Sequence, residues 1–225
     1  MKKSEYKQIE AFMLEKMSDS AHDKAHIYRV LAMALDIAAH EGGVDMDILI
    51  TAALLHDVGR PAQHENPELN HAEVGAEMAY DFLTGIGWPE DRAAHVRDCV
   101  ITHRHRKNRP PETIEAKIIF DSDKLDVTGA IGAARTLIYC GQILQPLYVI
   151  ENGGVLTEGS GIEAQSFIEE YNYKLKNIYD TFQTARGKIL AEERRAAAIT
   201  FYENITAEIN DSHIAGIKKL EELLN

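Results

Sequence analysis

Ala52-Ala53-Leu54-Leu55-His56-Asp57-Val58-Gly59 decides how the rest of the chain is read. An apolar run ends there in an imidazole and a carboxylate side by side. Burying those two polar groups at the end of a core helix is costly unless something satisfies them. A metal ion does so. Neutral imidazole and carboxylate are ordinary ligands of zinc and its neighbours, at about 2.0–2.2 Å. With no thiolate beside them, the pair points to Mn, Fe, Co, Ni or Zn, with Mg also open.

Outward from this stretch the apolar spacing is helical on both sides. The run itself closes a helix over residues 45–56, with Asp45 as N-cap. Before it, residues 4–18 carry Tyr6, Ile9, Phe12, Met13 and Met17 at helical spacing. Residues 23–41 carry Ile27, Val30, Leu31, Ala34, Leu35 and Ala38 before Gly42-Gly43 stops the helix. After it, a polar loop from Gly59 to Asn70 holds Pro61 and Pro67 as breakers. Helices are predicted at 71–84, 89–103 and 111–124, with Pro89 and Pro111 in first turns that tolerate proline. Another follows at 126–142, where Gly129 and Gly132 permit close helix approach. Tyr148 to Gly161, broken by Gly153-Gly154 and Gly159-Ser160-Gly161, reads as a long loop. Helices at 162–182 and 184–210 and a short terminal one close the chain. Their apolar positions, among them Phe167, Tyr171, Phe182, Ile189, Phe201 and Tyr202, serve the same core, a dimer surface or an active-site cover. The expectation is an all-α bundle: a single domain over 1–225, with its core at about 20–140 and a helical extension at about 160–225.

Composition narrows the function class. The 225 residues are 45% hydrophobic and 27% charged, which is ordinary for a globular chain. No apolar stretch is long enough to span a bilayer, so no membrane is expected. The formal net charge of −12 argues against a nucleic-acid surface but leaves room for a local basic pocket. Cys99 and Cys140 lack zinc-type spacing and read as free core thiols in a reducing cytoplasm. No phosphate-binding loop, nucleophile elbow or dinucleotide fingerprint is present in the sequence.

Three short patches share the ligand chemistry. His26 lies on the inner face of its helix beside Ile27 and Val30; alone it reads as a core histidine. The second patch is His56-Asp57. In the third, Asp121-Ser122-Asp123-Lys124-Leu125-Asp126 puts three carboxylates at the end of the apolar run Ile118-Ile119-Phe120. Groups so far apart along the chain meet only inside a helical bundle.

With these patches the chain resembles the HD superfamily of metal-dependent phosphohydrolases. The likeness lies in Ala21-His22-Asp23-Lys24-Ala25-His26-Ile27-Tyr28-Arg29-Val30, in Ala53-Leu54-Leu55-His56-Asp57-Val58-Gly59, and in Asp121 to Asp126. It is nearest to the small stand-alone bacterial HD hydrolases. These continue with a glycine-rich segment like Gly129-Ala130-Ile131-Gly132 and a late helix like Thr184 to Arg195. The resemblance implies His26, His56, Asp57 and Asp123 as metal ligands. Asp123 takes the place of the family's last aspartate because it precedes a basic residue and a leucine. Asp121 is left as a helix-end or outer group. Asp126 is left to face substrate, cap the next helix or serve as a reserve base. In the two-metal branch of the family, histidines placed like His71 and His103 supply a second metal site; the alternatives are that His71 caps its helix and His103 or His105 is a surface or substrate-binding side chain, or that His71 or His103 protonates a leaving group. The glycine-tyrosine-proline signature of cyclic-dinucleotide enzymes is absent. Val58-Gly59-Arg60-Pro61 stands where alarmone hydrolases carry an acidic pair.

The activity so implied is hydrolysis of a phosphoester or phosphoanhydride bond by metal-activated water. The substrate is a nucleotide or other small phosphorylated metabolite, and Asp57 also serves as proton acceptor. Lys124, Arg29, Arg104 and Arg106 are the candidate phosphate contacts, the last two within the single basic run Arg104-His105-Arg106-Lys107-Asn108-Arg109; the alternatives are that Lys124 or Arg29 pairs with a nearby carboxylate and that the basic run is a solvated loop end. The alternative is a regulatory HD domain that binds a nucleotide without turnover. The C-terminal helices permit a homodimer.

Overall fold

The computed structural model describes residues 1–17, 24–104, 109–151, 154–159 and 164–224. Its architecture is all-α apart from one small hairpin. The chain forms two compact units, one of residues 1–126 and 182–189, the other of residues 127–181 and 190–225. No helix among the described residues is long and apolar enough to cross a membrane.

The first unit holds α1 (Lys3–Lys16), α2 (Lys24–Ala38), α3 (Met46–Leu55), α4 (Arg60–Glu65), α5 (His71–Gly85), α6 (Glu90–Thr102) and α7 (Ile114–Leu125). The helix at its centre is α3, which packs on α1, α2, α6 and α7. Burial on every side explains why its sequence is apolar all round. Ile48, Leu49, Ala52, Ala53, Leu54 and Leu55 are all buried. Each large aliphatic side chain contributes about 1.5–3 kcal/mol on burial. The helix starts where expected: the Asp45 carboxylate accepts from the Asp47 and Ile48 amides at 3.0 and 3.2 Å. A second polar anchor joins two ends of the unit. Buried Asp121 accepts from the backbone amides of Gln183 and Thr184 at 2.8 and 2.7 Å and from the Thr184 hydroxyl. The start of the segment after Phe182 is thereby tied to α7.

The second unit holds α8 (Gly129–Gln142), strands β1 (Ile150–Glu151) and β2 (Val155–Leu156), and α9 (Phe167–Tyr173). A 3₁₀ segment (Leu175–Asp180), most of α10 (Ala185–Ile209) and α11 (Ala215–Leu224) complete it. The strands pair antiparallel with Ile150 opposite Leu156. The core of this unit is Ala133, Cys140, Phe167, Ile168, Tyr202 and Ile209. Tyr202 stacks on Tyr171 and Phe167, with ring centroids 3.6 and 4.9 Å apart.

Several expectations shift. The polar loop after Gly59 contains α4, because Pro61 sits in a first turn rather than breaking a helix. Pro89 is the N-cap of α6, and α7 begins only after its N-cap Thr113, so Pro111 lies outside it. The long loop contains the β1–β2 hairpin. The helix expected at 162–182 breaks at Lys174 into α9 and the 3₁₀ segment. Phe167, Tyr171, Phe201 and Tyr202 pack into a core of their own rather than the one around α3. Cys99 and Cys140 are buried free thiols, as read.

Candidate metal centre

Six ligand-type side chains converge inside the first unit as two triads: His26, His56 and Asp123, and Asp57, His71 and His103. Each triad keeps its ligand atoms within 4.8 Å of one another. The first triad rests on three mutually packed helices. His26 projects from α2, His56 caps the C-terminus of α3, and Asp123 lies in the last turn of α7. His26 Nε2 and His56 Nε2 stand 3.2 Å apart, with Asp123 Oδ1 3.6 and 4.0 Å from them.

Asp57 joins the triads. Its Oδ2 lies 3.5 Å from His26 Nε2 and 3.8 Å from His56 Nε2. Its Oδ1 lies 3.4 Å from His71 Nε2 and 3.5 Å from His103 Nε2. One carboxylate thus presents an oxygen to each group. The second triad is reached through helix ends: His71 opens α5 and His103 caps the C-terminus of α6. Gly59 makes the first of these possible. A Cβ there would fall 2.2 Å from the His71 carbonyl oxygen and 2.5 Å from the Gly75 amide nitrogen. Only two glycines in contact let the start of α5 come this close to Asp57.

The tautomers follow from the other ring nitrogens. The Nδ1 of His56 donates to the Ala53 carbonyl at 2.8 Å and that of His103 to the Val100 carbonyl at 2.6 Å. His26 Nδ1 donates to Asp126 Oδ2 at 2.7 Å, and His71 Nδ1 to Gln63 Oε1 at 2.5 Å. With Nδ1 donating, each neutral ring turns a lone pair at Nε2 inward. Burial pushes His56 down to about 4 and His71 down to about 2, so both are neutral at pH 7. Burial alone would raise Asp57, but the Arg60 guanidinium beside it holds it well below the usual carboxylate range. Lys124 does the same for Asp123 against its own burial.

Neutral imidazoles and ionised carboxylates are the protonation states a metal needs. Two imidazole lone pairs facing each other at 3.2 Å repel unless a cation lies between them. That spacing suits two nitrogens each about 2 Å from one ion. Asp57 Oδ2 and His71 Nε2 are buried without hydrogen-bond partners among the described residues. Unsatisfied groups of this kind cost about 1–3 kcal/mol each. The residues present therefore fit a divalent metal.

Cations ring the cluster. Lys124 Nζ is 3.0 Å from Asp123 Oδ2, and Arg60 Nε is 3.0 Å from Asp57 Oδ1. Arg29 donates to both oxygens of Asp126, Nε to Oδ1 at 2.7 Å and Nη2 to Oδ2 at 2.9 Å. Asp126, expected to face substrate or stand by as a base, is thus engaged by His26 and Arg29. Its carboxylate fixes the orientation and tautomer of the His26 ring. Arg29 likewise serves Asp126 rather than standing open to a phosphate. Arg104 donates to Asn70 Oδ1 at 3.2 Å. Arg106 lies outside the described residues, as do Ala21, His22, Asp23, His105, Lys107, Asn108, Gly153, Ser160 and Gly161 of the quoted motifs. Sequence reasoning missed Arg60, Gln63 and the Gly59–Gly75 contact. Arg60 carried a usable signal, since it stands three residues after Asp57.

Comparisons with known proteins converge on one family. The model of the HD domain matches residues 24–128. The uncharacterised protein YpgQ of Bacillus subtilis is 29% identical over 194 residues, covering 84% of this chain and 85% of YpgQ. The crystal structure of YpgQ in complex with ADP superposes with a TM-score of 0.72 at 26% identity, over 93% of this chain and 99% of that one. An HD-superfamily hydrolase from Bacillus thuringiensis gives a TM-score of 0.68 at 30% identity, over 93% and 99% of the two chains.

Proposed function

This chain belongs to the HD superfamily, and we propose that it is a metal-dependent phosphohydrolase acting on a nucleotide, in which the two triads would each hold a divalent cation and Asp57 faces both. The observation that carries the reading is the inward convergence of four imidazole Nε2 atoms and two carboxylates, with Asp57 facing both triads. When bound, divalent cations supply an acidified water and polarise phosphoryl oxygens. The protein's own residues do the rest. Asp126 and three other acceptors lock the histidine tautomers. Lys124 and Arg60 offset negative charge along the rim, which favours a phosphoryl group there. The ADP complex of the related YpgQ supports a nucleotide as the ligand class. Cleavage of a phosphoester or phosphoanhydride bond is the reaction such a site performs.

The test is product analysis on a phosphate panel with Mn²⁺, Co²⁺, Ni²⁺, Zn²⁺ and Mg²⁺ supplied separately. The panel holds nucleoside mono-, di- and triphosphates, cyclic nucleotides and a generic phosphodiester. Metal-dependent release of phosphate or pyrophosphate, or opening of a cyclic nucleotide, is expected. Asp57→Ala should lose metal and turnover while keeping its far-ultraviolet circular dichroism. Turnover retained in Asp57→Ala sinks the scheme; a nucleotide bound and released unchanged across the panel turns the reading to regulation.

A further inference from the structure

Arg60 is the cation placed most closely on the bridging carboxylate, and its geometry is unlike that of its neighbours. Its backbone amide donates to the Asp57 carbonyl at 3.0 Å, and its Nε donates to Asp57 Oδ1 at 3.0 Å. The same Oδ1 faces His71 Nε2 at 3.4 Å and His103 Nε2 at 3.5 Å. A cation held by the second triad and the Arg60 guanidinium therefore compete for one oxygen. Arg29 is spent on Asp126 through two nitrogens, Lys124 lies against Asp123, and Arg104 is tied to Asn70. Arg60 uses one of its five N–H donors, and its two Nη groups have no hydrogen-bond partner among the described residues. Its side chain is 25% exposed while Asp57 is fully buried, so the guanidinium spans from the cluster to its rim.

Building on the two-cation reading above, we propose that Arg60 has two duties. It is the internal counter-ion of Asp57 Oδ1, which weakens the hold of the second triad on its cation, and it receives a substrate phosphate through the free edge of its guanidinium. Like charges a few ångström apart repel, so the arginine loosens the ion that shares its carboxylate. A planar fork matches phosphate oxygens in pairs, so the same residue gains a partner when a phosphorylated substrate arrives. A phosphate bridging Arg60 and the cation would relieve their repulsion, which makes cation and substrate binding mutually supportive. An arginine that merely orients Asp57 predicts the opposite for the metal, because losing an outer partner of a ligand weakens affinity.

The sign of the metal effect decides. Mn²⁺ titrations followed by the free-ion paramagnetic resonance signal would count two equivalents in the unaltered protein and give each affinity. In Arg60→Gln the weaker Mn²⁺ should tighten by roughly tenfold, the scale of one screened charge nearby. ADP should bind about tenfold more weakly through the lost charged hydrogen bonds, while adenosine is unaffected. Arg60→Lys should leave Mn²⁺ near its native affinity and still weaken ADP, because charge is kept and the fork is lost. A weaker Mn²⁺ that loosens or stays unchanged in Arg60→Gln overturns the inference, as does unchanged ADP affinity. If Arg60→Gln fails to fold, Arg60→Lys decides: weakened ADP supports the proposal and unchanged ADP overturns it. Fewer than two Mn²⁺ in the unaltered protein would instead overturn the two-cation reading and the inference with it.

Discussion

The two units of the chain each bury polar atoms without partners, and they do so in opposite company. In the first, Asp57 Oδ2 and His71 Nε2 lie among four further ligand groups that turn toward them. In the second, the Tyr202 hydroxyl is buried and its ring packs on those of Phe167, Tyr171 and Phe201, with no metal-ligating group of three around it among the described residues. Thr51 and Trp88 leave isolated atoms of the same kind in the first unit. An orphaned polar atom alone is thus ordinary imperfection. It points to a ligand when several lone pairs converge on one point and each is held there by a partner on its far side.

That distinction is broken most directly at His71. If its unpartnered Nε2 were a defect, His71→Ala would spare metal content and activity. The expected outcome is the reverse: one equivalent of metal is lost and turnover falls by about 10²–10³-fold, the scale for removing a group that organises transition-state charge. Metal content by elemental mass spectrometry and rates on the best panel substrate check both. The next effect belongs to Asp126, which touches His26 but neither triad's inner face. Asp126→Asn keeps the shape and removes the charge that Arg29 and His26 share. Metal affinity should fall by about 10–100-fold, as for other outer partners of ligand histidines.

How much of this was legible in the sequence follows from where each group sits. His26, His56 and Asp123 stand at the ends or inner faces of long helices, where apolar spacing marks the buried side and a polar residue is conspicuous. The three carboxylates of Asp121 to Asp126 divide their work as periodicity allows: Asp121 anchors the start of α10, Asp123 joins the first triad, and Asp126 orients His26. Their spacing places them on different helix faces, but what each face meets is a tertiary fact. The same limit hid the second core, because spacing shows that Phe167 and Tyr202 are buried and not against what. Pro61 misled for a local reason. A proline reads equally well as a breaker or as the first turn of a helix, and α4 takes the second course.

The Gly59–Gly75 contact sharpens the comparison from the backbone side, since it lets the start of α5, and with it the orphaned His71 nitrogen, approach Asp57. In Gly59→Ala the added Cβ meets backbone atoms that cannot swing away. The variant should lose about 2 kcal/mol or more of stability, as overpacked cores do. The start of α5 must shift, so its second metal equivalent should loosen more than the first. Calorimetric melting with and without metal, together with Mn²⁺ stoichiometry, separates the two effects.

The smallest effect is expected in the second unit, at the counterpart of His71. Tyr202→Phe removes the unpartnered hydroxyl and keeps a ring stacked 3.6 Å from Tyr171. Burying a hydroxyl without a partner costs about 1–3 kcal/mol, so its removal should stabilise by roughly 1 kcal/mol. For a chain of this length that raises the melting temperature by about 2–4 °C. Metal content and turnover should not change. A fall in melting temperature would mean that the hydroxyl bonds a buried water, which needs further polar partners around it. Tyr202 would then belong with Asp57 and His71, and the contrast between a converging cluster and an isolated atom would fail at its simpler end.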